Sequence, residues 1–180
     1  MERIMKKLYL ALVLSAFLIM AGCSKKTSDE YIALAETHIQ QDNISSAIIE
    51  LKNAIIDNPQ DPKSRFMLGD LYANRGSAAV AEKELIRAFD LGYEPNEVLP
   101  VLANAYSLQF KHAEIIKLVD ESRNLAPEVS TSLLLYKALA HFQLGEPYKA
   151  KTAVADANEI SADSLYSKLG NAYVDFSNKQ

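Results

Sequence analysis

A single cysteine, Cys23, occurs in 180 residues, which excludes an internal disulfide framework and leaves packing as the source of stability. Nor is there a run of like charge long enough to form a tail; acidic and basic residues are interspersed as on solvated helix faces. With 23 acidic against 19 basic residues the chain argues against a nucleic-acid surface. The apolar run Leu8 to Met20 rises only about 20 Å as a helix, against an apolar bilayer layer of about 30 Å, so it is too short to span. No phosphate-cradling glycine loop, no His-Glu-x-x-His helix and no Gly-x-Ser-x-Gly elbow is present. An enzymatic reading therefore has few residues to work with, and no cofactor is expected.

What the amino end does contain is an address. Lys6 and Lys7 precede the apolar run, and Met20-Ala21-Gly22-Cys23 closes it. A basic start, an apolar middle and small residues before a cut make a secretory signal. The small pair set directly against Cys23 resembles a bacterial lipobox, which implies cleavage after residue 22 and acylation of Cys23. Residues 1–22 are then a lipoprotein signal peptide, and 23–27 the lipidated cysteine and a short tether. At about 0.8 kcal/mol per buried methylene, two or more acyl chains suffice for stable membrane attachment. By resemblance to bacterial lipoproteins, Ser24 after the cysteine implies the outer membrane, facing the periplasm. Without residues 1–22 the formal charge moves from −4 to about −6.

Residues 28–180 repeat. Counted from Ser28, positions 4, 7, 8, 11, 20, 24, 27 and 32 are Tyr31, Leu34, Ala35, His38, Ala47, Leu51, Ala54 and Pro59. A unit from Pro62 gives Leu68, Gly69, Tyr72, Ala81, Leu85 and Ala88 without a gap, and one from Asn96 gives Leu99, Leu102, Ala103, Tyr106, Ile115, Val119 and Pro127, with Ser122 in place of alanine. A fourth from Thr131 gives Leu134, Ala138, His141, Ala150, Val154 and Ala157, and a partial fifth from Asp163 gives Tyr166, Leu169, Gly170 and Tyr173. This spacing resembles the tetratricopeptide (TPR) pattern. The expected fold is an all-α superhelical solenoid of about four and a half helix pairs, with repeats near 28–61, 62–95, 96–130, 131–162 and 163–180. Position 8 is small in every unit because paired helices cross there, and positions 20 and 27 are small to receive bulky side chains.

Punctuation agrees. Gly76 and Gly145 can end first helices in the left-handed conformation, and Asp42-Asn43 can do so less readily. Pro59 and Pro127 are expected to close second helices. Helices are predicted near 29–41, 44–57, 63–75, 78–91, 97–109, 112–125, 131–144, 147–160 and 164–177, with Pro100 in about the first turn of its helix.

Three histidines are the candidate metal ligands. His38 and His141 occupy position 11, elsewhere tyrosine, and read as packing residues; His112 beside Glu114 is too few ligands for a structural metal. In the TPR class a concave groove is lined by first helices. The candidate partner surface here comprises Ile32, Glu36, Phe66, Asp70, Asn104, Ser107, Leu139 and Phe142. Phe66 and Phe142 could anchor a partner or pack on the neighbouring repeat. The Lys/Asn cluster that holds a terminal carboxylate in chaperone-binding members is missing, with Ile32 and Glu36 where it would begin.

Two stretches carry a closer likeness. Residues 31–92, with Ala47-Ile-Ile-Glu-Leu-Lys-Asn-Ala54, Phe66-Met-Leu-Gly-Asp-Leu-Tyr72 and Ala81-Glu-Lys-Glu-Leu-Ile-Arg-Ala88, resemble the N-terminal repeats of TPR lipoproteins associated with PEP-CTERM/exosortase systems, and Glu97 to Ala103 adds to this. Members of that family are far longer, so the likeness implies a fragment or a shortened relative. It also implies a non-catalytic scaffold that binds a protein or peptide of an export or assembly system, related to exopolysaccharide or biofilm matrix, with the membrane held through the lipid. A small-molecule ligand is not expected. The alternative is a pilotin-like chaperone for an outer-membrane secretin. A glycan-acting enzyme would have only Glu36 and Asp70 as its carboxylate pair, which reads better as a solvated surface.

Overall fold

The computed structural model describes residues 26–177; the expected signal peptide and the lipid attachment at Cys23 lie outside them. Among the described residues the chain is all-helical and repetitive: α1 Ser28–Gln40, α2 Ile44–Asp57, α3 Pro62–Asn74, α4 Ala78–Asp90, α5 Pro95–Leu108, α6 His112–Glu121, α7 Pro127–Gln143, α8 Pro147–Ser161 and α9 Leu165–Ser177. None of these helices is long and apolar enough to cross a membrane.

Helix starts follow local chemistry. At α1, Thr27 and Glu30 form a reciprocal capping box, the Thr27 hydroxyl accepting from the Glu30 amide and the Glu30 carboxylate from the Thr27 amide at 2.8 Å. Asn43 caps α2 and Asp61 caps α3, with Pro62 in the first turn where its missing N–H costs nothing. First helices end alike. Asp42, Gly76, Phe110 and Gly145 all have positive φ, between 56° and 74°. One residue further on, the amides of Asn43, Ser77, Lys111 and Glu146 donate back to the carbonyls of His38, Tyr72, Tyr106 and His141 at 2.8–3.0 Å. That recurring bond satisfies a carbonyl the helix leaves open and turns the chain into the next helix.

The pairs stack into a solenoid. Each second helix (α2, α4, α6, α8) packs on its own first helix and on the next one, while α3, α5, α7 and α9 pack in succession on each other. The small residues at position 8 are buried in all five units: Ala35, Gly69, Ala103, Ala138 and Gly170. Opposite them lie the buried Leu51, Leu85 and Val154, and a Cβ added to Gly69 would stand 2.7 Å from Leu85 Cγ. Burying each such leucine stabilises by roughly 1.5 to 3 kcal/mol, and a void there could not be refilled locally. Arg65 adds a polar stitch: its guanidinium meets Glu84 at 2.8 Å, largely buried, and donates to the Pro59 carbonyl, joining α3 to α4 and to the preceding turn.

Two boundaries differ from expectation. α6 stops at Glu121, not near 125, and α7 starts at Pro127 rather than near 131. Pro127 therefore opens a helix, at a position where proline is tolerated, instead of closing the one before. Ser122, in the place of the alanine of other units, turns to extended backbone while its hydroxyl donates to the Leu118 carbonyl at 2.6 Å. Likewise α5 begins at Pro95, which puts Pro100 in the second turn, where its missing N–H leaves the Asn96 carbonyl without its helical partner.

Candidate functional site

Because α3, α5 and α7 pack in succession and Lys63 of α3 reaches Glu36 of α1, equivalent positions of the first helices fall on one side of the stack. Position 9 reads Glu36, Asp70, Asn104 and Leu139, a gradient from acid through amide to apolar. All four are partly exposed. The Glu36 carboxylate takes a hydrogen bond from Lys63 at 2.8 Å, tying α1 to α3 across the exposed surface. Asp70 differs. Burial pushes its carboxyl above the ordinary carboxylate value, and a hydrogen bond with Asn74 pulls the other way. A carboxylate held partly out of water is one that gains from a cationic ligand. Ser107 in α5 is also partly exposed, one helical turn beyond Asn104.

Three expected groove residues have other employment. Ile32 is 5% exposed, a packing residue of α1 and not an open contact, because an aliphatic side chain on this inner face is withdrawn from water as the units close. Phe66 stacks on Tyr93, ring centroids 4.4 Å apart and nearly parallel, and Tyr93 in turn donates to Glu97 at 3.0 Å. Burial first, then that bond, push the Tyr93 phenol up to about 12, so it stays a donor. Phe142 meets Tyr173 of α9 at 4.7 Å. Phe66 thus packs on the turn that closes its own unit and Phe142 on the first helix of the next, while both rings stay partly exposed.

Sequence reasoning passed over a cleft of mixed lining elsewhere on the stack. About 540 Å³ lies between α6 and the α7–α8 turn, lined by Ala113, Ile116, Asp120, Leu144, Glu146 and Lys149 among others. His141, buried as its register predicts, closes it: Nδ1 lies 2.7 Å from Glu146. Lys149 first, then His141, hold the Glu146 carboxyl below its ordinary value. The signal was present as a histidine five residues before a glutamate across a turn glycine, but that spacing is short of a recognised motif. Phe110 was also missed. It stands where Asp42, Gly76 and Gly145 make the same turn, is 78% exposed, and touches His112 edge-on with centroids 6.3 Å apart.

Among the described residues no three His, Cys, Asp or Glu side chains cluster as metal ligands, and His112 has the Phe110 ring as its neighbour. Glu36 and Asp70 are separately engaged, by Lys63 and Asn74. Neither a protein-family model nor a curated protein sequence matches the chain.

Proposed function

We propose that the protein is a non-catalytic envelope lipoprotein, acylated at Cys23 and held at the outer membrane facing the periplasm. In this reading its TPR-type solenoid uses the first-helix surface to hold a protein or peptide of an export or assembly system, such as one handling exopolysaccharide. The observation that carries the reading is that position 9 of four successive first helices, Glu36, Asp70, Asn104 and Leu139, is partly exposed in every case. Rigid stacked repeats suit extended ligands because the receptor orders little on binding. These four positions fit a segment with a basic group over Asp70 and an apolar end over Leu139.

The test is site-specific photo-cross-linking with the full chain in the cell envelope. Probes at Asp70 and Ser107 are expected to trap one defined partner, and probes at Ile49 and Ile86, exposed on second helices, are expected not to. Equal trapping from both faces, in proportion to protein abundance, overturns the reading.

A further inference from the structure

Helix α9 leaves an apolar stripe uncovered. Leu165, Leu169 and Phe176 are 66%, 49% and 61% exposed, with Ala172 and part of Tyr173 exposed beside them. The register equivalents of Leu169 in the second and third units, Leu68 and Leu102, are 3% and 2% exposed. The inner face of α9 is already engaged: Gly170 rests on Val154, Ser167 donates to the Ala157 carbonyl, and the side-chain amides of Asn171 and Asn158 bond each other twice. So α9 is a docked helix whose second face is exposed among the described residues. An exposed run of this kind marks an interaction site more often than chance scatter does.

The pattern of that face says what fits it. Leu165, Leu169, Ala172 and Phe176 are spaced by four, three and four residues, the seam of a two-helix coiled coil. Laid antiparallel on a copy of itself, the seam pairs Leu165 with Phe176 of the second copy and Leu169 with its Ala172, large against large and medium against small. Only two ionic residues lie in α9, Lys168 and Asp175, on one flank of the stripe seven residues apart. In the register set by the apolar layers, Lys168 falls opposite Asp175 of the second copy, and two-fold symmetry makes the pair occur twice. A parallel arrangement would turn that flank toward the opposite flank of the second copy, where Tyr166 and Tyr173 stand, and would leave both charges without an ionic partner. Lys168 now reaches Asp163 across 3.4 Å between two strongly exposed side chains, a weak contact that is readily exchanged.

We propose that α9 is a homodimerisation helix, pairing antiparallel with α9 of a second copy through Leu165, Leu169, Ala172 and Phe176. Two helices of 13 residues cover less than the roughly 800 Å² per partner of a standard stable interface, so the association is reversible. Concentrating chains on one surface, as the lipid anchor proposed above would, favours it through effective concentration. The pairing itself depends on neither the anchor nor the partner surface.

The experiment places a photoreactive side chain at Leu169 of the full chain in cells and identifies the product by mass and by peptide. Expected is a species of twice the chain mass, joined to the α9 peptide. Lys168→Glu and Asp175→Lys chains should each lose about tenfold of that self-cross-link, since each sets like charges opposite one another, and should cross-link to each other when coexpressed. A monomer, a cross-link to another protein, or charge-reversed chains that pair with themselves as well as the parent would each overturn the proposal. Far-ultraviolet circular dichroism of the two variants, both altered only at exposed positions, confirms that a lost cross-link is not lost folding.

Discussion

The second and third units follow the same register from their first helix through the second, and three of their differences bear on the turn and the second helix. Unit two has Gly76 in its inner turn, Leu85 at the centre of its second helix and Ala88 near the end; unit three has Phe110, Val119 and Ser122. The second helix is 13 residues in one and 10 in the other. Leu85 is fully buried, whereas Val119 is only partly so. A smaller core residue with a hydroxyl where a methyl should pack gives the helix less reason to continue. The repeat is thus tuned locally, unit by unit, as expected of a chain whose parts touch only their neighbours.

The comparison can be broken most strongly at its centre. Leu85→Ala is expected to cost about 3 kcal/mol and Val119→Ala about 1, read as the shift in the urea midpoint, because only the first leaves a closed cavity. Next, Gly69→Ala should cost about 2 kcal/mol, since the new Cβ lands on Leu85 beside its backbone. Gly170→Ala should cost less, its nearest neighbour being a valine methyl at 3.1 Å. Giving unit three the turn of unit two, Phe110→Gly, should stabilise by about 1 kcal/mol and raise Tm by about 2–4 °C, because a bulky side chain is relieved of positive φ. Gly76→Ala should lose a similar amount.

Two charge predictions are smaller. Asp70→Asn gives unit two the residue unit three already has, and it should raise Tm slightly at neutral pH while weakening partner cross-linking, because an ionised carboxyl whose pKa is raised by burial opposes folding. For Glu146 the sign is opposite. A carboxyl held below its ordinary 4.5 contributes stability above that value and loses it as pH falls through the lowered pKa. Glu146→Gln should therefore be less stable than the parent at neutral pH and show a flatter acid limb in thermal scans.

Much of the fold was legible. The bounds of α2 match the expected 44–57, and the small residues at position 8 are buried in all five units, because helix crossing imposes a steric rule that spacing records directly. Turn chemistry was legible where glycine signalled it and hidden at Phe110, whose identity argues against the conformation it adopts. Pro127 was misplaced because proline both ends one helix and starts another, and only the packing of Ser122 decides which. In the candidate surface, Glu36, Asp70, Asn104, Ser107 and Leu139 stand partly exposed as expected. Of the rest, Ile32 is buried, and Phe66 and Phe142 are partly exposed but stacked on Tyr93 and Tyr173, contacts between different repeat positions that the spacing of one position does not record. In the fifth unit Gly170 faces Val154 of the preceding second helix, not a partner of its own as Gly69 does, and the expected register stops there.

A small residue of one helix set against a branched side chain of the next closes the units, and the same contact lines the first helices up into a surface. Hydrogen exchange of the full chain, resolved by peptide, tests this directly. Amides of α3 and α4 around Gly69 and Leu85 should exchange slowest, and those of residues 119–126 should be among the fastest between α1 and α8. Uniform protection along the chain, or slowest exchange in α6, would contradict it.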